Sequence, residues 1–304
     1  MPLELKDLTE LENTYDTFLF DVWGVLYDGE EVYPGVAEAL TALRKAGKKV
    51  GIISNSTLTV PQLEEKFAKF GLIHGQHFDN MITSGAYLQH LIGQDFFKKE
   101  FQKDNYTFYC YGQHNQELFK AWASHECETL AGADFVYLGA LTDNATPIAD
   151  NTGTQQFLAE CLSLGKPLIC ANPDMCATKK GKIYYTQGAI ADAYERMGGK
   201  VYWMGKPYPE IFDFACQTLG SDKKTSVMIG DSLHTDIAGA QTAGLDSVLI
   251  HGTGILAHLP KSKLSEEMEK EGAVPTYALE KVALSKDAVS TQSALTQGRS
   301  REGK

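Results

Sequence analysis

The chain has 304 residues, of which 43% are hydrophobic and 22% are charged, and its formal net charge is −11. This length exceeds the size at which one hydrophobic core usually keeps growing, so we expect two unequal domains. No stretch approaches the ~20 apolar residues of a membrane helix, and the acidic N-terminus lacks a signal-peptide pattern, which predicts a cytoplasmic protein without membrane association. The negative charge also disfavours nucleic-acid binding.

Strand and helix patterns alternate near both ends of the chain. The apolar run "TFLFDVWGVL" (17–26) predicts a strand, and "YPGVAEALTALRKAG" (33–47) carries apolar residues at helical spacing. The run "KKVGIISNS" (48–56) predicts a strand that is covered on both faces. Near the other end, "SVMIGDS" (226–232) and "DSVLIHG" (246–252) repeat this pattern around a short helix. We therefore predict an α/β fold with a Rossmann-like, doubly wound parallel sheet.

The middle of the chain differs from the ends in composition, with many aromatic residues and cysteines, and it has its own strand signals. These are "TFYCYG", "DFVYLGAL" and "KPLICANPD", within residues 91–203. They predict a smaller α/β cap domain inserted into the core. The predicted division is core 1–90, cap 91–203 and core 204–283, and the polar residues 284–304 carry no apolar stripe and are predicted to be a disordered tail.

Polar residues follow the predicted core strands where each strand ends. They are Asp21, Ser54 with Asn55, Lys206 in "GKPYPEIF", and Asp231 with Asp236 in "GDSLHTD". In an open parallel sheet these ends meet at one edge, where ligands bind. A carboxylate can attack phosphorus, and carboxylates together with a backbone carbonyl can hold Mg²⁺. A hydroxyl, an amide and a lysine suit the remaining phosphoryl oxygens, so the pattern predicts a phosphate and metal site.

The ordered motifs "FDVWGVL", "IISNS", "GKPYPEIF" and "GDSLHTDIAGAQTAG" resemble the haloacid dehalogenase-like (HAD) hydrolase superfamily, in its capped class IIA phosphatase-like subgroup. The resemblance covers about Thr17 to Gly254 and includes "ANPD" (171–174). It implies an enzyme that hydrolyses small phosphorylated substrates with Mg²⁺ as cofactor. A surface of the cap is also a place where two copies of the chain could pair as a homo-oligomer.

The resemblance also implies a role for each site residue. Asp21 is the expected nucleophile and a metal ligand, Asp231 is a metal ligand, and Asp236 is a supporting acid. Trp23 would bind the metal through its backbone carbonyl. The expected phosphate and substrate contacts are Ser54, Asn55, Lys206, Asn172 and Asp174, and Lys206 is also expected to be catalytic.

Trp23 departs from the family pattern, because similar phosphatases usually have a second Asp at this position to protonate the leaving group. Indole cannot transfer that proton, and a positioned acid and base typically contribute about 10²–10⁴-fold in rate. We therefore expect a slow phosphatase, or one that acts on a leaving group needing little protonation, such as an acyl phosphate. Asp28, Glu30 and Glu31 are the nearby acids that could replace the missing group.

Three alternatives follow from the same motifs. An aromatic residue at position 23 also occurs in the metal-independent haloacid dehalogenases of the superfamily, which suggests carbon–halogen cleavage. Loss of the acid would also suit a low-turnover protein that binds a phosphorylated ligand for regulation. The segment "GTGILA" (252–257) loosely matches a dinucleotide fingerprint, but it follows the last core strand, so we interpret Gly252 and Gly254 as loop glycines. The favoured hypothesis is a Mg²⁺-dependent phosphatase.

Overall fold

The computed structural model describes residues 2–120, 122–141, 145–179 and 182–285. Its β-strands are β1 Leu3–Glu4, β2 Thr17–Phe20, β3 Lys49–Ser54, β4 Asn80–Thr83, β5 Phe108–Tyr111, β6 Phe135–Leu138, β7 Leu168–Cys170, β8 Cys176–Lys179, β9 Lys182–Tyr185, β10 Val201–Trp203, β11 Ser226–Gly230, β12 Asp246–Ile250 and β13 Tyr277–Leu279. Its α-helices are α1 Val36–Lys45, α2 Val60–Lys69, α3 Ser84–Gly93, α4 Phe96–Phe101, α5 Gln116–Phe119, α6 Thr152–Ser163, α7 Gln187–Arg196, α8 Pro209–Leu219, α9 Ala238–Ala243 and α10 Leu264–Glu271. The predicted tail lies outside the described residues from 286 onward.

The largest sheet has seven strands in the order β1-β13-β12-β11-β2-β3-β4. The pairs from β1 across to β3 are all parallel. From β2 the chain proceeds outward through β3 and β4 on one side, and later through β11, β12 and β13 on the other. The switch point of this sheet therefore lies between β2 and β11, where open α/β proteins bind ligands.

The local sequence explains why these two central strands form. Every residue of β2 and of β11 is buried, as expected of a strand covered on both faces. The register pairs Phe20 with Ile229, so the two strands end almost level. Helix α1 buries Val36, Ala39, Leu40 and Leu43, the spacing of one helix face. The predicted strand and helix of this region are therefore confirmed, but β2 ends at Phe20 and the rest of the apolar run, 21–26, lies in the loop that follows.

The chain forms two compact units. The first contains the described residues up to Ile53, Glu64–Met81 and the described residues from Ala215 onward, and the second contains Ser54–Leu63 and Ile82–Phe214. The second unit has a parallel four-stranded sheet, β10-β7-β6-β5, and an antiparallel β8–β9 hairpin. The predicted α/β class, with a Rossmann-like sheet and an inserted cap, is confirmed. The predicted boundaries at 91 and 203 stay a prediction.

The core of the second unit is strongly aromatic. Phe97, Phe108, Trp122 and Phe135 are almost completely buried in one cluster beside its sheet. Within the described part of the chain, no helix combines the length and the apolar character needed to cross a membrane.

Candidate active site

Asp21 is the first residue after β2. Its backbone N–H donates to the carbonyl of Ile229 at 2.9 Å, which continues the pairing of β2 with β11 by one residue. The residue is 9% exposed, so its carboxylate lies at the edge of the sheet with little access to water. A carboxylate in this position needs a cation or hydrogen-bond donors, because burying an ionised group without partners is costly.

Asp231 follows β11 and is held by two loops of the first unit. Its Oδ2 atom accepts a hydrogen bond from the N–H of Ile255 at 2.7 Å. The hydroxyl of Thr253 donates to the carbonyl of Gly24 at 2.6 Å, which joins the same two loops. Asp231 is only 3% exposed, and a backbone N–H helps to fix its carboxylate.

Two glycines make room for the Asp231 carboxylate. A Cβ atom on Gly24 would lie 2.1 Å from its Oδ2 atom, and a Cβ atom on Gly254 would lie 1.9 Å from it. The φ angles of these glycines are +78° and +69°, a region that other residues rarely adopt. Gly254 therefore belongs to the wall of a carboxylate site, which gives this glycine of "GTGILA" a role unrelated to dinucleotide binding.

Asp236 lies in a π-helical turn, Leu233–Ile237, and is fully buried. Its Oδ2 atom accepts from the N–H of Ser232 at 3.1 Å. The hydroxyl of Ser232 in turn accepts from the N–H of Thr235, so Ser232 caps this turn. A Cβ atom on Gly230 would lie 2.4 Å from the Asp236 Oδ2 atom, which shows how closely this carboxylate packs against the end of β11.

The structure brings Asp21, Asp231 and Asp236 together. One carboxylate oxygen from each lies within 4.8 Å of the others. At that separation two unit charges repel by about 3 kcal/mol at an effective dielectric constant near 20, so a shared cation would offset a substantial repulsion. An all-oxygen donor set of carboxylates suits Mg²⁺, so these residues fit the predicted metal.

Trp23 is packed within the loop that follows β2. The residue is 47% exposed, and its indole ring makes an edge contact with the Tyr27 ring at 5.3 Å. A Cβ atom on Gly29 would lie 2.5 Å from the ring, and the Lys66 ammonium lies 5.8 Å from its centre. Burial lowers the pKa of Lys66. The ring therefore occupies a defined position but has no group that can transfer a proton.

Of the acids that could replace the missing group, Asp28 is committed to a local turn. Its Oδ1 atom accepts from the N–H groups of Glu30 and Glu31, both at 2.8 Å. These backbone hydrogen bonds lower the pKa of Asp28. The carboxyl therefore stays ionised at neutral pH and is a poor proton donor.

A second polar group lies in the second unit, around Asn55 and Lys206. Lys206 follows β10 in "MGKP" and is 2% exposed. The Asn55 side chain accepts from the Lys206 N–H at 2.7 Å and donates to the Lys206 carbonyl at 2.9 Å. It also donates to the Asp174 carboxylate at 2.8 Å, so three of the predicted residues meet here.

Ser54 and Asn172 lie beside this group in the chain. Ser54 ends β3 and its hydroxyl accepts from the N–H of Ser56 at 3.2 Å. Asn172 accepts from the Asp174 N–H and donates to the Gln187 side chain, both at 3.2 Å. Asn172 thus shapes its own loop, and its predicted contact with substrate stays a prediction.

Two family models match the chain. One, described as haloacid dehalogenase-like hydrolase, matches residues 18–121, and a second HAD-hydrolase-like model matches residues 203–283. The chain belongs to the HAD hydrolase superfamily. Trp23 lies inside the first matched segment, and Asp231 and Asp236 lie inside the second.

The curated relatives of this HAD hydrolase include named phosphatases that match over most of their length. The 4-nitrophenylphosphatase of Schizosaccharomyces pombe is 26% identical over 91% of this chain and 95% of its own. The glycerol-3-phosphate phosphatase of Homo sapiens is 27% identical over 88% and 89%. The ribonucleotide monophosphatase NagD of Escherichia coli K12 is 27% identical over 78% and 88%.

Solved structures agree with the fold. A haloacid dehalogenase-like hydrolase from Brucella suis 1330 superimposes with a TM-score of 0.75, covers 91% of this chain and 99% of its own, and is 25% identical. A 4-nitrophenylphosphatase from Thermotoga maritima has a TM-score of 0.66 and 24% identity, and covers 89% of this chain and 96% of its own. The relatives support the predicted class IIA subgroup.

Sequence reasoning did not assign to the site the glycines that surround the carboxylates. Gly24 and Gly254 stand in "VWGV" and "GTGI", and Gly230 directly precedes Asp231. Glycines beside a strand end were a usable signal, because they permit positive φ and close approach of other atoms. The sequence does not show which atom approaches each glycine. Gly24, for example, lies against Asp231, which is more than 200 residues away along the chain.

Proposed function

We propose that this HAD hydrolase is a Mg²⁺-dependent phosphatase that acts on a small phosphorylated metabolite in the cytoplasm, with Asp21 as its nucleophile. The observation that carries the proposal is the convergence of Asp21, Asp231 and Asp236 within 4.8 Å at the switch point of the parallel sheet. The names of the relatives support phosphate esters as the substrate class.

In the proposed reaction, a carboxylate oxygen of Asp21 attacks phosphorus. The new O–P bond forms as the bond to the leaving oxygen breaks, and that oxygen departs with the electron pair. Water then hydrolyses the aspartyl-phosphate and restores the carboxylate. Mg²⁺ bound by Asp21, Asp231 and the Trp23 carbonyl, with Asp236 in support, would offset the repulsion between the carboxylate and the phosphoryl oxygens.

Ser54 and Lys206 are assigned to the phosphoryl oxygens. The Ser54 hydroxyl can donate one hydrogen bond, and the Lys206 ammonium supplies up to three donors and a positive charge. As charge develops on the transferring group, a fixed cation stabilises it more than it stabilises the substrate, which lowers the barrier.

Trp23 determines which leaving groups suit this site. With indole at position 23 and Asp28 ionised, neither group can protonate the departing oxygen. A leaving group that is stable as an anion, such as the carboxylate of an acyl phosphate or a phenolate, does not need that proton. We therefore propose that acyl and aryl phosphates react faster than alkyl phosphates by about 10²-fold or more, the usual size of general-acid catalysis.

The test measures phosphate release from acetyl phosphate, 4-nitrophenyl phosphate and glycerol 3-phosphate, with and without Mg²⁺. The proposal expects Mg²⁺-dependent release that is fastest for the first two substrates and abolished by Asp21→Asn. Asp246→Asn is the matched control, because Asp246 is a carboxylate of the same unit that bonds the Tyr15 hydroxyl at 2.7 Å.

Three outcomes would contradict the proposal. Unchanged turnover in Asp21→Asn would show that the nucleophile is misassigned. Chloride release from a 2-chloroacid without metal would support the dehalogenase hypothesis instead. Tight binding of inorganic phosphate with no turnover of any of the three substrates would support a phospho-ligand-binding protein.

A further inference from the structure

The Asn55 side chain uses all of its donor capacity within the protein. A side-chain amide has two N–H donors and one carbonyl oxygen with two lone pairs. Its Nδ2 atom donates to Asp174 Oδ1 at 2.8 Å and to the Lys206 carbonyl at 2.9 Å. Both donors are therefore occupied, and a phosphoryl oxygen, which can only accept, finds no donor on this side chain.

The carbonyl oxygen of Asn55 is also engaged. It accepts from the backbone N–H of Lys206 at 2.7 Å and from the Ser84 hydroxyl at 3.5 Å. The two contacts with Lys206 thus pair the amide with both polar groups of one backbone residue. Such a paired contact fixes orientation as well as distance, because neither bond can rotate without straining the other.

The chain before Lys206 is shaped to allow this contact. Gly205 has a φ angle of +127°, and a Cβ atom there would lie 2.6 Å from Asn55 Oδ1 and 2.5 Å from the Ser84 hydroxyl. Only glycine permits both this backbone conformation and this close approach. The backbone of residues 205 and 206 is therefore held tightly against the Asn55 amide.

Asp174, the third member, is itself held by its own loop. Its N–H donates to Asn172 at 3.2 Å, and its carbonyl accepts from the Thr186 hydroxyl. A Cβ atom on Gly188 would lie 2.4 Å from that carbonyl oxygen, so α7 packs directly against the loop. The carboxylate of Asp174 is consequently a fixed acceptor for the Asn55 amide.

We propose that the side chain of Asn55 positions Lys206 and is not itself a ligand of phosphate. Its amide links the Asp174 carboxylate to the Lys206 backbone, and this link sets the direction of the buried Lys206 ammonium. The inference rests on the proposed function for the role of the lysine. Asn55, Asp174 and Lys206 are named the amide relay below.

The experiment compares Asn55→Ala, Asn55→Asp, Asp174→Asn and the double variant Asn55→Asp/Asp174→Asn in steady-state kinetics with 4-nitrophenyl phosphate and Mg²⁺. We expect Asn55→Ala to lower kcat by about 10–100-fold with a smaller change in KM, the range typical when a partner that orients a functional group is lost. Asn55→Asp should cost at least as much, because it removes both donors and places two carboxylates side by side.

The double variant separates positioning from direct binding. It exchanges donor and acceptor, so the amide at 174 donates to the carboxylate at 55, which still accepts from the Lys206 N–H. We expect recovery of at least 3-fold in kcat over Asn55→Asp alone. If the side chain at 55 instead touches phosphate, a carboxylate there repels the substrate, and the double variant stays as poor as the single one. That result, or a rise in KM alone for Asn55→Ala, would overturn the inference.

A matched control and a second measurement keep this inference distinct from the proposed function. Asn115 is another hydrogen-bonded amide of the second unit, which donates to Gln62 at 2.6 Å, and Asn115→Ala should lower stability without lowering kcat. Thermal unfolding of the native chain, Asn55→Asp, Asp174→Asn and the double variant gives the coupling energy of residues 55 and 174 without any turnover. If residues 55 and 174 are coupled but the chain hydrolyses none of the substrates, only the proposed function is refuted. If the chain turns over substrate but the two residues are not coupled, only the amide relay is refuted.

Discussion

The two polar groups of this protein are held in place by different means. In the first unit, two glycines pack against the Asp231 carboxylate and the backbone N–H of Ile255 donates to it. In the second unit, the Lys206 backbone is fixed by a side chain, the Asn55 amide. A site held by glycines tolerates almost no added volume, whereas a site held by an amide is sensitive to the exchange of donor and acceptor atoms.

The largest expected effect comes from removing a charge in the carboxylate group. Asp231→Asn keeps the size of the side chain but removes one of the two carboxylates that we propose as metal ligands. We expect Mg²⁺-dependent turnover to fall by about 10³-fold, equivalent to roughly 4 kcal/mol of lost charge stabilisation, with a higher Mg²⁺ requirement. Turnover measured across a Mg²⁺ titration checks this. Equal Mg²⁺ requirements for the variant and the native chain would remove Asp231 from the ligand set.

A smaller but more specific effect is expected from the glycine wall. Gly254→Ala places a methyl group 1.9 Å from the Asp231 oxygen and should lower turnover by about 10²-fold, since misplacing a reacting group by about 1 Å has this effect. The matched control is Gly272→Ala, whose φ is +64° but which has no atom within 4 Å of the added Cβ. It should lose about 1 kcal/mol of stability and keep its turnover. Equal kinetics in the two variants would show that φ alone, and not packing on Asp231, matters.

Trp23 offers a change in the opposite direction. Trp23→Asp introduces a carboxyl group that can transfer a proton, and we expect turnover of glycerol 3-phosphate to rise by about 10-fold or more, within the range of general-acid catalysis. Acetyl phosphate should gain much less, because its leaving group needs no proton. Trp23→Asn is the control for loss of the ring. A similar gain in both variants would mean that the ring only blocks access.

The smallest effect concerns a carboxylate held by a side-chain cation away from the site. Arg44 bonds Asp79 at 2.6 Å, and although burial opposes the shift, hydrogen bonds from Arg44 and the Val50 N–H lower the pKa of Asp79. The pKa of Asp79 is lower in the folded state than in the unfolded state, where it is about 4. The ionised carboxylate therefore stabilises the fold above about pH 4. This contribution to the free energy of unfolding is lost as the pH falls through the folded-state pKa.

Asp79→Asn should therefore cost about 1 kcal/mol at pH 7 and show a weaker loss of stability below pH 4 than the native chain, as followed by urea unfolding at several pH values. If the free energies of unfolding of the two proteins differ by the same amount at every pH, the pKa of Asp79 is not lowered in the folded state.

The fold class and the functional residues at the strand ends could be predicted from the sequence for a physical reason. Parallel strands that are buried on both faces leave continuous apolar runs, and a carboxylate at the end of such a run, as at Asp21 and Asp231, is conspicuous. Since these ends share one edge of the sheet, sequence alone indicated that Asp21 and Asp231 lie close together.

The partners of individual polar atoms were not readable. Asn55 bonds residues 119 and 151 positions away along the chain. An asparagine after a strand end suggests a functional amide. Only the structure shows that both N–H donors of this amide are already bonded within the protein. The same applies to Trp23, whose exposure and packing on Gly29 depend on the path of the loop rather than on any local pattern.

That exposure has a practical consequence. The chain has three tryptophans, and they differ in their access to solvent: Trp122 is fully buried, Trp203 is partly buried, and Trp23 is 47% exposed. A water-soluble collisional quencher therefore reaches the fluorescence of Trp23 before that of the others. Since Trp23 lies between Asp21 and Gly24, the protein carries an intrinsic optical reporter within two residues of its proposed nucleophile.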